Sequence, residues 1–563
     1  MSATGSNMRT GGQILVDQLL LHGAEMAFCV PGESYLEVLD ALYGVRDRFT
    51  LVNARHEAGA ANMAEAYGKL TGKPGLCLVT RGPGACQASV GVHTAMQDST
   101  PMILLIGQVG RDAMDREAFQ EIDYRQMFGP VAKWAAQIDV TARIPEYMAR
   151  AFHIATSGRP GPVVLALPED MLVEKADVSD AMPYRTIRPD GLPDGALKDI
   201  RALLAQAERP LLLVGGPSWT DEACARIQSF AENNGLPVAT SFRRQDIIDH
   251  RSPNFAGDLG TSGPPGLIQA TKDADLLFVI GARLGELTTQ GYTVMDSPKT
   301  RQKLVHLHLN PDEIGKVFIP DVGFAVSPDA ATAALSGCRW FTPDRWADWL
   351  KRLHDIYEAA ADATVESTAP LNLARAMAIL GDRLGDDGIV TLDAGNHTGW
   401  PQRYLRFARP GRQIGPTSGA MGYSVPAGVA ASILYPDRVV VSCVGDGGFM
   451  MSGQELASAM QHGGHPIVLV FNNGMYGTIR MHQEREHPER VSGTDLINPD
   501  FVGMAKAMGC YAERVELTEE FSGALDRAIG SGRPALIELI TDPDQVSTRL
   551  TISAMRERAR AAR

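Results

Sequence analysis

The short apolar run Val439 to Val444 ends at Gly445-Asp446-Gly447-Gly448, and a second run, Ile467 to Phe471, ends at Asn472-Asn473. Short, β-branched runs closed by glycine or asparagine read as buried strands. Ser452 stands three residues before Glu455, the spacing of a capping box, so a helix is expected to start there and to carry Leu456 and Met460 on its apolar face. The stretch is therefore a strand, a loop, a helix and a strand. It places Asp446 and Asn473 at strand C-terminal ends, where open parallel sheets bind ligands.

A carboxylate and an amide oxygen at adjacent strand ends suit a hard cation such as Mg²⁺ that also holds phosphate oxygens. Gly445, Gly447 and Gly448 let backbone N–H groups approach a diphosphate, and a nearby helix N-terminus favours its charge. Taken alone, Gly-Asp-Gly is a tight turn and Asn-Asn a loop. Together, 27 positions apart, they resemble the thiamine-diphosphate motif. The rest of the chain is similar to the thiamine-diphosphate-dependent decarboxylase and acetolactate-synthase superfamily, of the large catalytic subunit type, over nearly its whole length.

That resemblance implies an α/β protein of three doubly wound parallel-sheet domains. They are a pyrimidine-binding domain over 1–175, a central domain over 192–335, a diphosphate-binding domain over 370–545, and then a tail over 546–563. Length agrees: 563 residues exceed one core, and about 150 per domain gives three or four. The balance of 53 basic against 66 acidic residues, net −13, argues against nucleic acid or an anionic membrane as a partner. Seven cysteines without a CxxC pair fit a reducing cytosol and no structural zinc. The first residues lack the pattern of a signal peptide, and no run of about 18 apolar residues occurs, so a cytoplasmic protein without a membrane span is expected.

Along the first domain, strands at Ala27–Val30, Thr50–Asn53, Gly75–Thr80, Pro101–Ile106 and Pro160–Pro168 alternate with helices at 12–22, 35–43, 58–67 and 87–96. Glu57 opens one of these helices, where the macrodipole alone would favour a carboxylate. The resemblance makes Glu57 the carboxylate bonded to the cofactor's aminopyrimidine, which renders the cofactor's own amino group basic. His56 is then a structural neighbour. Ala118-Phe-Gln-Glu-Ile-Asp123 resembles an acetolactate-synthase segment, which puts Phe119 and Gln120 against the substrate; by itself it reads as a solvated helix end. Residues 173–193, rich in Asp and Pro, read as a linker.

The central domain shows strands at 211–216, 236–240, 276–280 and 304–309 and a helix at 221–234. Gly281 to Thr288 departs from the acidic, arginine-rich segment of acetolactate synthases. This speaks against FAD there and leaves the domain a structural role. Trp340, Trp346 and Trp349 fall in a stretch expected to be a connecting helix between domains.

In the third domain, strand 389–393 ends at Ala394-Gly395-Asn396-His397. The resemblance makes Gly395, Asn396 and His397 phosphate contacts, although a hydrogen-bonded loop histidine is an equal reading. Gly419 and Met421 match a segment whose apolar side chain wedges between the cofactor rings, while a methionine there also fits plain core filling. Asp446, Asn473 and the Met475 carbonyl are the implied Mg²⁺ ligands, with Tyr476 beside them. Ile479 and His482 would face substrate. Two departures concern the substrate: His482 stands near where acetolactate synthases carry Trp, and Glu33 where they carry Gly. Glu33 could relay protons or merely cap a helix. Glu57, Glu33 and Gln120 are thus the catalytic candidates.

The expected activity is decarboxylation of a 2-oxo acid and transfer of the acyl-anion equivalent to a carbonyl acceptor, in a homodimer or homotetramer. One alternative is a 2-hydroxy ketone or hydroxyacyl-CoA lyase, or a non-ligating decarboxylase. Another is a non-catalytic cofactor-binding regulatory subunit. The absence of a GxGxxG after a first strand counts against a nicotinamide oxidoreductase. The basic tail reads as a solvated helix, a disordered end or a flap over the site.

Overall fold

The computed structural model describes residues 8–185 and 191–561. Among them are three six-stranded sheets, each parallel throughout, as the alternation of strands and helices predicts. The chain forms two compact units. One holds the first domain together with Val425–Pro436 and Ser452–His465, and the other holds the rest of the central and third domains.

The first unit contains β1 (Met8–Thr10), β2 (Met26–Cys29), β3 (Thr50–Asn53), β4 (Gly75–Val79), β5 (Met102–Gln108), β6 (Trp134–Gln137), β7 (Pro162–Pro168) and β8 (Lys175–Asp177). The main sheet runs β3-β2-β4-β5-β7-β6. The chain leaves β2 toward one edge and returns on the other side at β4, so the switch point lies between these strands. Leu105 and Leu165 of the sheet pack with Leu15 and Phe152 of the covering helices into one core. Helix Glu57–Thr71 is buried from Gly59 to Gly68. It lies close to helix Pro83–Asp98, because a Cβ on Gly91 would come within 2.4 Å of the Ala61 Cβ.

Two expectations are corrected here. Residues 173–193 are not linker throughout: β8 pairs antiparallel with β1, and Tyr184 rests on His22 and Phe152. Residues 186–190 of that stretch lie outside the described ones. Residues 111–123 are turns rather than a helix end, with Asp115, Glu117 and Gln120 at positive φ. The helix there starts only at Tyr124, capped by Asp123.

In the second unit the central sheet is β9 (Pro210–Val214), β10 (Val238–Ser241), β11 (Phe255–Leu259), β12 (Leu276–Ile280), β13 (Lys303–His308) and β14 (Val322–Ala325), ordered β11-β10-β9-β12-β13-β14. The tryptophan stretch becomes helix Ala347–Ala361. It is not a spacer between domains, since Trp346 and Trp349 sit in the central core and donate their indole N–H to the carbonyls of Ala207 and Pro210, both at 2.9 Å. A buried indole needs such a partner.

The third sheet comprises β15 (Ile389–Leu392), β16 (Gln413–Ile414), β17 (Val440–Gly445), β18 (Ile467–Asn472), β19 (Tyr511–Val515) and β20 (Ala535–Ile540), ordered β16-β15-β17-β18-β20-β19. Its switch point lies between β15 and β17. The tail forms helix Ile552–Ala561, neither solvated all round nor disordered. Ile552 and Met555 cluster with Met475 and Val546, and Arg556 grips the buried Glu484 through Nε at 2.7 Å and Nη2 at 2.5 Å. Among the described residues no helix is long and apolar enough to cross a membrane.

Candidate functional site

The predicted residues fall into two groups, one in each unit. In the second unit a cavity of about 230 Å³ opens at the C-terminal ends of β15, β17 and β18. Gly395, Asn396, His397, Gly419, Met421, Gly445, Asp446, Gly447, Gly448, Asn473, Met475, Tyr476 and Ile479 all line it.

Asp446 is 3% exposed and is the first residue of a helix, Asp446–Ser452, that starts directly at the strand end. Its Oδ1 accepts from Gly447 N at 2.8 Å. Its Oδ2 accepts from Gly474 N and from the Asn498 side chain, each at 2.8 Å. Burial raises the Asp446 pKa, and these donors work against the rise. The Asn473 side-chain oxygen accepts from Met475 N at 3.2 Å. Met475 in turn bridges to Asp495 in the loop that follows the helix Gly477–Glu486.

The glycines are sterically required. A Cβ on Gly447 would enter the Tyr476 ring at 2.5 Å, and one on Gly445 would meet the His397 ring at 3.1 Å. His397 is half-buried, and desolvation, then the Arg243 charge, hold its pKa down to about 3, so it is neutral. Its Nε2 is buried without a hydrogen-bond partner. Asn396 is anchored to Thr478, whose Oγ1 accepts from the Asn396 backbone N–H at 3.0 Å. Beneath this loop lies Asp393, which accepts from Ala394 N at 2.8 Å, Gly422 N at 3.1 Å and Ser424 N at 3.0 Å. It thereby joins the His397 loop to the turn bearing Met421. Burial lifts its pKa to about 6.

The other group sits in the first unit, after β2, β3 and β4. Glu57 is the first residue of its helix, and the His56 ring accepts from Ala58 N at 3.1 Å as the cap, a structural role for His56. The Glu57 carboxylate lies 3.4 Å from where a Gly84 Cβ would stand. Glu33 opens a short 3₁₀ turn, Glu33–Tyr35, and accepts from Arg81 at 3.1 Å; Arg81 also donates to Glu169 at 2.8 Å. Gln120 lies against the turn that follows β4, since a Cβ on Gly82 would come within 2.7 Å of its carbonyl oxygen. Phe119 is exposed. His482 is exposed too, bonded to Arg485 at 2.8 Å, and does not line the cavity.

The capping-box reading of Ser452 and Glu455 is corrected. A helix already begins at Asp446, so Ser452 ends it, and helix Glu455–His462 starts from Gln454 with no side-chain cap. Met460 is exposed, whereas Leu456 is buried. Glu455 is fully buried in the first unit. It accepts from Arg55 N at 3.1 Å and from Ser458 Oγ at 2.6 Å, two residues ahead of Glu57 in the first case. His462 likewise accepts from Asn53 N at 2.9 Å. The roles of Asp393, Asn498 and Arg243 were missed in sequence, and Glu455 was read as a local cap, because each also acts on a partner far away along the chain.

Comparison with known families decides what this arrangement belongs to. Models described as thiamine pyrophosphate enzyme domains match three stretches: the N-terminal TPP binding domain at 9–127, the central domain at 197–335 and the C-terminal TPP binding domain at 393–539. The chain belongs to the thiamine pyrophosphate enzyme family. Curated relatives extend the likeness over almost the whole chain. An acetolactate synthase large subunit of Parasynechococcus marenigrum is 32% identical over 96% of this chain and 88% of its own length. One of Corynebacterium glutamicum is 33% identical over 95% and 87%. The Escherichia coli isozyme 2 large subunit is 30% identical over 94% and 95%. This thiamine pyrophosphate enzyme is thus of the acetolactate-synthase type, and its two TPP-binding domains are the ones that carry the two residue groups described above.

Proposed function

We propose that the cavity at β15, β17 and β18 receives the diphosphate of thiamine diphosphate with Mg²⁺, and that the enzyme decarboxylates a 2-oxo acid and passes the acyl unit to a carbonyl acceptor. One observation carries this reading: His397, Asp446 and Asn473 line one cavity beside Gly445 and Gly447, where a Cβ would collide with the His397 and Tyr476 rings. Among the described residues no cluster of three or more His, Cys, Asp or Glu side chains could hold a metal. The ligand set proposed for Mg²⁺ is instead all oxygen: the Asp446 carboxylate, the Asn473 amide and the Met475 carbonyl, which suits a hard cation.

When bound, the cofactor supplies the carbon nucleophile and the electron sink. The chain's own residues do the rest. Gly445, Gly447 and Gly448 keep the diphosphate approach open, with Gly395, Asn396 and neutral His397 as donors. Gly419 and Met421 shape the wall, with Tyr476 opposite. Glu57 holds the proton on the pyrimidine ring. Glu33, paired with Arg81, relays protons, and Gln120 orients the substrate alongside Phe119, Ile479 and His482. The resemblance also supports a homodimer or homotetramer.

The test is CO₂ release from a panel of 2-oxo acids by protein reconstituted with thiamine diphosphate and Mg²⁺, with products identified by mass. Acetolactate from pyruvate is the expected product. Glu57→Gln should lower turnover about 10²–10⁴-fold while leaving calorimetric cofactor binding in place. Cleavage of 2-hydroxy ketones or hydroxyacyl-CoA esters with no CO₂ from any 2-oxo acid would replace the carboligase with a lyase.

A further inference from the structure

We propose that Arg243, carried in by the central domain, is a positioning residue that sets the floor of the cofactor cavity and lends it positive charge from beneath. The assignment rests on the reading of that cavity as a diphosphate site. Arg243 follows β10 in the segment Phe242-Arg-Arg-Gln-Asp246, and Arg243, Gln245 and Asp246 are all buried. Arg243 has φ +63°, a left-handed conformation that is strained for a residue with a Cβ. Something must hold it there.

The next residues supply the hold. Gln245 donates its side-chain N–H to the Gln402 carbonyl at 2.7 Å, and its own backbone N–H reaches the Gln413 side chain at 3.1 Å. One Asp246 oxygen accepts from Gly411, Arg412 and Gln413 N at 2.9, 3.1 and 3.2 Å. Locked in this way onto the chain entering β16, Arg243 reaches past Gly415, where a Cβ would meet its Cδ and Nη1 at 3.1 Å. Its Nη2 donates to the Asp393 carbonyl at 2.6 Å.

Asp393 is the residue whose carboxylate ties both cavity loops together, so the arginine grips the element on which Gly395, His397 and Met421 depend. Burial first, and the Arg243 charge second, depress the pKa of His397 in the cavity wall. A buried cation acts through low-dielectric surroundings, where charge reaches farther than in water. This gives the central domain a task in cofactor binding that involves no ligand of its own.

The experiment is calorimetric titration of the full-length apoprotein with thiamine diphosphate and Mg²⁺, beside apoprotein melting temperature. Arg243→Met should weaken binding about 10–100-fold, and Arg243→Lys, which keeps the charge but loses the fork, should recover most of it. Both should melt alike, and kcat at saturating cofactor should stay close to the parent's, because Arg243 touches no reacting atom. Gly415→Ala, which crowds the guanidinium without removing it, should weaken binding less than Arg243→Met. Unchanged affinity in Arg243→Met, or equal losses in the Lys and Met variants that follow their melting temperatures, would overturn the assignment alone. No binding by the parent protein would overturn the reading of the cavity and this assignment with it.

Discussion

Asn498 shows what a single side chain does that no local pattern announces. Its Nδ2 donates to Asp446 Oδ2 at 2.8 Å and to Asn472 Oδ1 at 2.9 Å, which fixes the carboxylate proposed to bind Mg²⁺. Groups that orient a metal ligand matter nearly as much as the ligand itself. Asn498→Ala should raise the Mg²⁺ concentration for half-saturation about 10–100-fold, read by calorimetry at fixed thiamine diphosphate. If half-saturation does not move, Asn498 does not orient the ligand. Asp446 and Asn473 were legible because residue type, strand end and spacing all converge on them. Asn498 lies in a loop 25 positions beyond Asn473, with nothing periodic to point to it.

Helix Glu455–His462 makes the corresponding point for elements. Sequence assigned Glu455 to local capping, but its carboxylate reaches the backbone ahead of helix Glu57–Thr71, and Gly59 leaves room for it: a Cβ there would lie 2.4 Å from Glu455 Oε1. One helix thus satisfies orphan N–H groups at the start of another. Burial raises the Glu455 pKa, with Ser458 and the Arg55 and His56 backbone opposing. Glu455→Ala should destabilise the protein by about 1–3 kcal/mol through the lost bonds from Arg55 N and the buried Ser458 hydroxyl, read by urea unfolding. It should also speed hydrogen exchange at Arg55 and His56; protection equal to the parent's would refute the role. The docked tail is a second case. Glu484, gripped by Arg556, also accepts from Glu489 N at 2.9 Å and pairs with Arg480 at 3.6 Å, so Arg556→Met should cost less than the roughly 3 kcal/mol of a fully stranded buried charge, checked by the same unfolding.

At the scale of the whole molecule, buried titratable groups of opposite sense share the second unit. Burial raises Asp258 to about 7 and Asp393 to about 6, and lowers His250 and His397 to about 3 each. A carboxyl whose folded pKa is raised binds its proton more tightly when folded, so its contribution to stability is lost as pH rises from about 4 toward the folded value. A histidine with a lowered pKa does the reverse, losing stability as pH falls below about 6.5. The two effects oppose each other over the same window. Asp258 Oδ1 accepts from Gln245 at 3.2 Å, which an amide oxygen can replace. Asp258→Asn should therefore gain stability relative to the parent, by roughly 1–3 kcal/mol more at pH 7.5 than at pH 5, read from urea midpoints. A difference independent of pH would show that Asp258 is ionised in the fold throughout.

Sequence by itself determined the α/β class, the strand ends that carry Asp446, Asn473, Glu57 and His397, and the kinship that their pattern implies. These follow from periodicity and from polar residues that fall just past strand C-terminal ends, where open parallel sheets bind ligands. The edge strands β14 and β16 escaped notice, because β14 is interrupted by Gly323 and β16 is only two residues long. Only the tertiary structure decided which distant side chains satisfy buried backbone and orient the site: Asp393 between two loops, Asn498 on Asp446, Glu455 before Glu57, Arg243 under the cavity floor. The physical reason is the same in each case. A buried polar group must find a partner, and the chain's path through space, not its order, sets which partner is within reach.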